Sequence, residues 1–170
     1  METAPGFEMP TWNQIYCMLL NQAKKINKSR FDPDIIVCIA RGGWLPARVL
    51  SDLLENPNVV SVKIERCSTN NENKDDIILT QLVPGTVKER RVLLVDEVSD
   101  TGKCLKLSRE VIYNQGAEKI KIATLYHKPW SVVTPDYYEK ETDRWIVFPW
   151  ERKETIRAII QSSSTKGISI

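Results

Sequence analysis

Two short runs, IIVCIA at Ile35–Ala40 and VLLVDEV at Val92–Val98, limit what this chain can fold into more than any other feature. Each is largely apolar and rich in β-branched residues, the composition of a strand covered on both faces. Each then passes through a small polar turn into a segment of helical period. Arg41-Gly42-Gly43 leads to Trp44, Ala47, Arg48 and Leu50 to Leu54, and Ser99-Asp100-Thr101-Gly102 leads to a helix over Lys103 to Asn114. Strand, tight turn and helix, repeated, predict an α/β fold with a mostly parallel central sheet flanked by helices.

The remaining segments fit that plan. VVSVKI (Val59–Ile64), IKIATLY (Ile120–Tyr126) and WIVF (Trp145–Phe148) read as further strands, and Glu151 to Gln161 as a terminal helix. Between Thr11 and Lys28, Trp12, Ile15, Tyr16, Leu19, Ala23 and Ile26 recur at helical spacing, with Thr11 placed to cap. The spacing predicts that Trp12 and Tyr16 belong to the core. Arg66 to Asp76 is polar and aperiodic, Asn-rich from Cys67 onward, and is expected to be a mobile loop. The Ser-rich tail from Ser162 to Ile170 is expected to fray at its end. Neither a repeat nor a linker divides the 170 residues, so one domain is expected over 1–170.

Composition narrows the functions open to such a domain. With 24 basic and 22 acidic residues, the charge does not call for nucleic acid or an anionic membrane as partner. The four cysteines lie apart, without a Cys-x-x-Cys pair, and His127 is the only histidine, which argues against zinc and against a disulfide framework. Met1 to Pro10 lacks the basic start and apolar core of a signal peptide, and no apolar run approaches the roughly 20 residues of a membrane span. A cytoplasmic protein is expected.

In parallel α/β sheets, ligands sit beyond the carboxyl ends of the strands, where Arg41-Gly42-Gly43, Asp96-Glu97 and Lys128 all fall. The stretch LLVDEVSDTGKCL (Leu93–Leu105) puts two adjacent acids at the end of a buried strand, a costly place for unpaired charge. The turn after them can converge its backbone N–H groups on an anion at a helix N-terminus, with Gly102 permitting close approach and Ser99 and Thr101 adding hydroxyls. Asp96 and Glu97 can accept hydrogen bonds from a vicinal diol. Phosphate beside diol describes a ribose phosphate. The plainer alternative has the acids close a turn and Thr101 cap a helix.

The whole thirteen-residue stretch resembles the phosphoribosyl pyrophosphate motif of type I phosphoribosyltransferases: an apolar strand, two acids and a small loop ending in Thr-Gly. IARGGWLPARVLSDLL (Ile39–Leu54) resembles the family's pyrophosphate loop and following helix. ATLYHKPW (Ala123–Trp130) and WIVFPWE (Trp145–Glu151) resemble the base-holding parts of the 6-oxopurine branch. The likeness covers roughly residues 8 to 155. It departs in lacking Ser-Tyr between Arg66 and Asp76, and in carrying Lys103 after Thr-Gly.

That resemblance implies a purine salvage enzyme transferring ribose 5-phosphate from phosphoribosyl pyrophosphate to hypoxanthine, guanine or xanthine, with magnesium carried mainly by the diphosphate. It places the ribose phosphate on Asp96, Glu97, Ser99, Asp100, Thr101, Gly102 and Lys103, with Glu97 touching the metal. Arg41, Gly42 and Gly43 would take pyrophosphate, and Asp100 would handle the purine proton. Lys128 would donate to the purine O6, Trp145 would stack on the ring, Ile146 would offer main-chain contacts, and Glu151 would lie near the base. His127 is not assigned a catalytic role. A small hood at about 65–80 would close over the carboxyl ends of the strands, with Arg66 and Lys74 as candidates to reach pyrophosphate. A homodimer or homotetramer is expected. The alternative is a non-catalytic regulator on the same fold that senses phosphoribosyl pyrophosphate or nucleotide.

Overall fold

The computed structural model describes residues 6–68, 75–81 and 87–165. In chain order the elements are β1 (Phe7–Glu8), α1 (Trp12–Lys28), β2 (Ile35–Ala40), α2 (Trp44–Leu53), β3 (Val59–Ser68) and β4 (Asp75–Gln81). They continue with β5 (Arg91–Ser99), α3 (Lys103–Asn114), β6 (Lys119–His127), β7 (Lys140–Glu141), β8 (Trp145–Ile146) and α4 (Arg152–Thr165). Backbone contacts group them into two compact units, Cys17–Thr142 and Met1–Tyr16 with Asp143–Ile170.

The larger unit holds a six-stranded sheet of order β4-β3-β2-β5-β6-β7. Every neighbouring pair is parallel except β3 with β4. The β2 run is apolar throughout because helices cover both its faces. On one face Val37, Ile39, Leu94 and Ile122 pack with Leu105 and Ile112 of α3 in a single core. Side chains alternate along a strand, so Ile36, Cys38, Leu93 and Val95 bury themselves on the opposite face. Buried Gln22 of α1 donates its amide to Thr124 O at 2.8 Å and Tyr137 O at 3.2 Å, and so fixes β6 to the chain that returns beside it. At the amino ends of the central strands, Arg91 makes a forked contact with Asp34, Nη2 to Oδ1 at 2.8 Å and Nε to Oδ2 at 3.0 Å. Its backbone N–H also donates to Asp34 Oδ2 at 2.8 Å. These donors hold the Asp34 carboxyl down to about 2.

The strand order reverses at β2 and β5. From β2 the chain moves outward to β3 and β4, then returns to pair β5 on the other side of β2, in register from Ile35↔Val92 to Cys38↔Val95. A reversal of this kind leaves a crevice between the carboxyl ends of the two strands.

The smaller unit pairs β1 with β8 in parallel, Phe7 opposite Trp145 and Glu8 opposite Ile146. At the start of α1, Thr11 and Gln14 form a capping box: Gln14 N donates to Thr11 Oγ1 at 3.3 Å and Thr11 N to Gln14 Oε1 at 2.8 Å.

Four expectations are corrected. Trp12 and Tyr16 are 56% and 51% exposed, because the buried stripe of α1 runs through Ile15, Leu19, Ala23 and Ile26 and leaves both aromatics on its flank. Trp12 instead rests against Trp150, ring centroids 5.5 Å apart. The aperiodic loop predicted over 66–76 gives way at both ends to strand: β3 runs to Ser68, β4 begins at Asp75, and of that stretch 69–74 lie outside the described residues. The WIVF strand is cut to Trp145–Ile146, since its partner β1 is only two residues long and Phe148 turns away to stack on Trp150 at 4.9 Å. The terminal helix starts at Arg152 and continues through Thr165 into the Ser-rich stretch, of which 166–170 lie outside the described residues.

Candidate active site

Two loops leave the crevice between β2 and β5. The first is Arg41-Gly42-Gly43, entered through a cis Ala40–Arg41 peptide bond. Gly43 N donates to Ile39 O at 2.9 Å and Trp44 N to Arg41 O at 3.1 Å, which closes the turn and starts α2. The amide of Gly43 is thus spent inside the turn and is not open to the anion contact expected of both glycines, whereas Arg41 is exposed. Space also forces both glycines. A Cβ at Gly42 would overlap the Glu97 carboxylate, and one at Gly43 would lie 2.5 Å from Val95 O and 2.8 Å from Ile39 O.

The second loop is 99–102. Asp96, at the end of β5, accepts the backbone N–H of Glu97 at 2.9 Å, and Glu97 is 9% exposed with its carboxylate against Gly42. The acid pair and the first loop therefore meet side by side. Gly102 takes a left-handed conformation, φ 76°, which glycine adopts without steric cost. Its missing Cβ also leaves room for Ser131 Oγ and Val133 N.

Helices α2 and α3 both begin here with a glycine at the cap and no hydrogen bond from a capping side chain. Thr101 Oγ1 lies 3.4 Å from Lys103 N, at the edge of hydrogen-bond range. The helix dipole favours an anion at both N-termini, although at α2 the Gly43 and Trp44 amides are already bonded within the turn. The contrast with α1, closed by its Thr11–Gln14 box, sets these two ends apart.

Ser99 does not contribute its hydroxyl as expected. It is fully buried, donates to Val133 O at 2.8 Å and lies 2.8 Å from Ser131 Oγ, so it braces the loop from beneath. The segment after β6 is tied to the same loop by two further bonds, Lys128 N to Ser99 O at 3.0 Å and Val132 N to Thr101 O at 3.1 Å. Lys128 is only 6% exposed, rare for a lysine, and its ammonium lies 5.2 Å from the centre of the Trp130 ring. Trp130 in turn donates its indole N–H to Asp100 Oδ1 at 3.2 Å. His127 stays apart from this chemistry, buried with Nδ1 3.2 Å from Glu141 Oε2.

The structure thus brings Arg41, Gly42, Gly43, Asp96, Glu97, Asp100, Thr101, Gly102, Lys103 and Lys128 to the carboxyl ends of one sheet. Trp145, Ile146 and Glu151 stand in the other unit, the first two on β8 and Glu151 just before α4, where it receives Thr155 N at 3.0 Å. Lys74 lies outside the described residues; Arg66 sits on β3 opposite Ile77. Sequence reasoning missed Trp130 and Ser131, although both follow Lys128 within three residues.

The same residues decide what metal the site suits. Among the described residues no group of three or more His, Cys, Asp or Glu side chains could cage an ion. Two adjacent carboxylates beside an anion cradle instead fit magnesium that brings most of its oxygen ligands with it on a diphosphate.

The phosphoribosyl transferase domain model matches residues 12–154. The chain belongs to the phosphoribosyltransferase family. Among similar proteins, a xanthine-guanine phosphoribosyltransferase of Idiomarina loihiensis is 32% identical over 118 residues, spanning 68% of this chain and 70% of that one. A crystal structure of a purine phosphoribosyltransferase from Pyrococcus horikoshii superposes with TM-score 0.78 at 38% identity, covering 85% of this chain and 93% of that one. The xanthine-guanine-hypoxanthine phosphoribosyltransferase of Helicobacter pylori shares the fold, with TM-score 0.75 at 22% identity over 89% and 99% of the two chains. The antiparallel β4 is an edge strand on an otherwise parallel sheet. Among the described residues no helix is long and apolar enough to cross a membrane.

Proposed function

We propose that this phosphoribosyltransferase is a purine salvage enzyme that moves ribose 5-phosphate from phosphoribosyl pyrophosphate to a 6-oxopurine and releases pyrophosphate. The observation that carries the reading is the pair of side-chain-uncapped helix starts at one crevice, with the Asp96-Glu97 acids between them. Such a site offers two anion cradles and one diol acceptor, the order of groups along phosphoribosyl pyrophosphate.

In this reading the amides of Thr101 to Lys103 take the 5′-phosphate at the N-terminus of α3. Asp96 and Glu97 accept the ribose hydroxyls. Arg41 and the Gly42 amide meet the diphosphate, where a guanidinium suits forked contact with phosphate oxygens. Glu97 is the residue that would touch a magnesium ion carried by the diphosphate, and such an ion would supply charge neutralisation at the leaving group. As the purine nitrogen bonds to the anomeric carbon and the carbon–oxygen bond to pyrophosphate breaks, Asp100 accepts the proton the purine must lose. Lys128 donates to the 6-oxo group. Catalysis rests on positioning and on charges set before the reaction starts.

The test is nucleotide formation from phosphoribosyl pyrophosphate and magnesium with hypoxanthine, guanine, xanthine, adenine and orotate in separate reactions. Product with 6-oxopurines and none with adenine or orotate is expected. Tight binding of phosphoribosyl pyrophosphate without product from any base would replace this reading with a regulator. The names of the relatives favour the enzyme.

A further inference from the structure

Trp130 is 53% exposed, yet both polar features of its indole are engaged. Its N–H donates to Asp100 Oδ1 at 3.2 Å, and its face lies 5.2 Å from the Lys128 ammonium. The backbone fixes it there. Ser131 N donates to Lys128 O at 3.0 Å, making a turn with Pro129 and Trp130 at its centre, the first of these a favoured turn position for proline. The bonds from Lys128 N and Val132 N to the 99–102 loop then clamp the turn on both sides. An exposed aromatic held this firmly, between an acid and an ammonium, does more than cover surface.

We propose that Trp130 is a positioning residue that brackets Asp100 and Lys128 and sets their separation to match the adjacent N7 and O6 atoms of a 6-oxopurine. N7 and O6 lie on one edge of such a base, both acceptors in the product nucleotide, so it is before transfer that N7 carries the proton Asp100 takes. An acid that exchanges a proton with the ring nitrogen and an ammonium that donates to O6 must therefore stand side by side. One rigid indole touching both fixes that spacing in a way two independent side chains do not. The inference rests on the roles given above to Asp100 and Lys128.

Two substitutions separate the halves of the bracket. Trp130→Phe removes the N–H and keeps a ring for Lys128; Trp130→Leu removes both. Neither should disturb folding at so exposed a position. With the best 6-oxopurine, Trp130→Phe is expected to lower kcat roughly tenfold, the scale of one hydrogen bond to a charged group, with KM for phosphoribosyl pyrophosphate unchanged. Trp130→Leu is expected to add a rise in KM for the base. If the indole acts through Asp100, Trp130→Phe costs nothing more in an Asp100→Asn background. Unchanged kcat in Trp130→Phe, or losses that multiply in the double variant, would overturn the proposal.

Failure of the underlying reading has its own signature. Wild-type turnover by Asp100→Asn removes the proton-handling role of Asp100, whatever Trp130 does. The contact itself is read in the nitrogen-15 spectrum, where the Trp130 indole signal, one of five tryptophans, is assigned by its loss in Trp130→Phe. It is expected to move in Asp100→Asn, and an unmoved signal would overturn the bracket independently of any rate.

Discussion

Two neighbouring glycines should fail in opposite ways when each is replaced by alanine. At Gly42 the added methyl would sit 2.5 Å from Cδ and 2.9 Å from Cγ of Glu97, closer still to its carboxylate oxygen. These atoms end a flexible side chain, so they can retreat to ordinary contact at 3.4 Å, a displacement of roughly 1 Å. Misplacement on that scale at a reacting centre costs about 100-fold in rate, or about 2.7 kcal/mol of transition-state stabilisation. At Gly43 the methyl would meet backbone instead: Val95 O at 2.5 Å, Ile39 O at 2.8 Å and Ile39 N at 2.9 Å. Paired strands cannot yield, and overpacking of this kind costs about 3 kcal/mol of folding stability.

Gly42→Ala is therefore expected to lose about 100-fold in kcat/KM for phosphoribosyl pyrophosphate while its urea midpoint stays within about 0.3 M of the wild type. Gly43→Ala is expected to lower the midpoint by roughly 1 M or more. Backbone strain does not explain either effect, since Gly43 has an ordinary helical φ of −70°. The assays are initial rates across phosphoribosyl pyrophosphate concentrations and equilibrium unfolding by circular dichroism. A fully active Gly42→Ala enzyme with unchanged KM would refute the claim that this glycine exists to seat Glu97.

Three further predictions concern the scaffold. Asp34, held down to about 2 by the Arg91 hydrogen bonds, titrates below its ordinary 3.8, so its contribution to stability is complete above 3.8 and disappears as pH falls through about 2. The gap in unfolding midpoint between wild type and Asp34→Asn should close over that window, and shrink in salt because the pair is partly exposed; a gap independent of pH would contradict this. Burial pushes the Cys38 thiol up to about 11, so at neutral pH iodoacetamide should modify exposed Cys17 and spare Cys38 until the protein unfolds, as read by peptide mass spectrometry. Gln22→Leu removes the amide that bonds the Thr124 and Tyr137 carbonyls, the second of which keeps the Thr124 N–H at 2.9 Å, and should cost about 1 kcal/mol in thermal or urea unfolding; an unchanged midpoint would show that water replaces the amide.

The parts of this molecule that sequence revealed are those in which one local pattern sufficed. IIVCIA is strand β2 to the residue, and the helix predicted over 103–114 is α3. The two crevice loops were legible because glycine and small polar residues between strand and helix have few other uses. What remained hidden depended on partners distant in the chain. The DDIILTQ strand β4 forms because β3 offers an edge, and its own residues carry too little alternation to announce it. Ser99 looks like a phosphate ligand until the Val133 carbonyl, more than thirty positions later, accepts its hydrogen bond. The spacing of Trp12 and Tyr16 matched a helix, but periodicity gives a stripe without its edges. Trp130 carried no signal of its own, for an indole beside a lysine is as easily surface as site.

The parallel pairing of β2 with β5 also has a consequence for how the chain comes into being. Ile35 pairs with Val92, so everything between them must be made and looped out before the two strands can meet. Long-range parallel pairing of this kind is slow, because its entropic cost falls due before its contacts form. Since one crevice loop hangs from each strand, a growing polypeptide has no crevice, and on the proposed function no substrate site, until β5 has docked. Phosphoribosyl pyrophosphate can hold only the finished molecule together: it should lengthen the life of the native state and leave the rate of its birth unchanged.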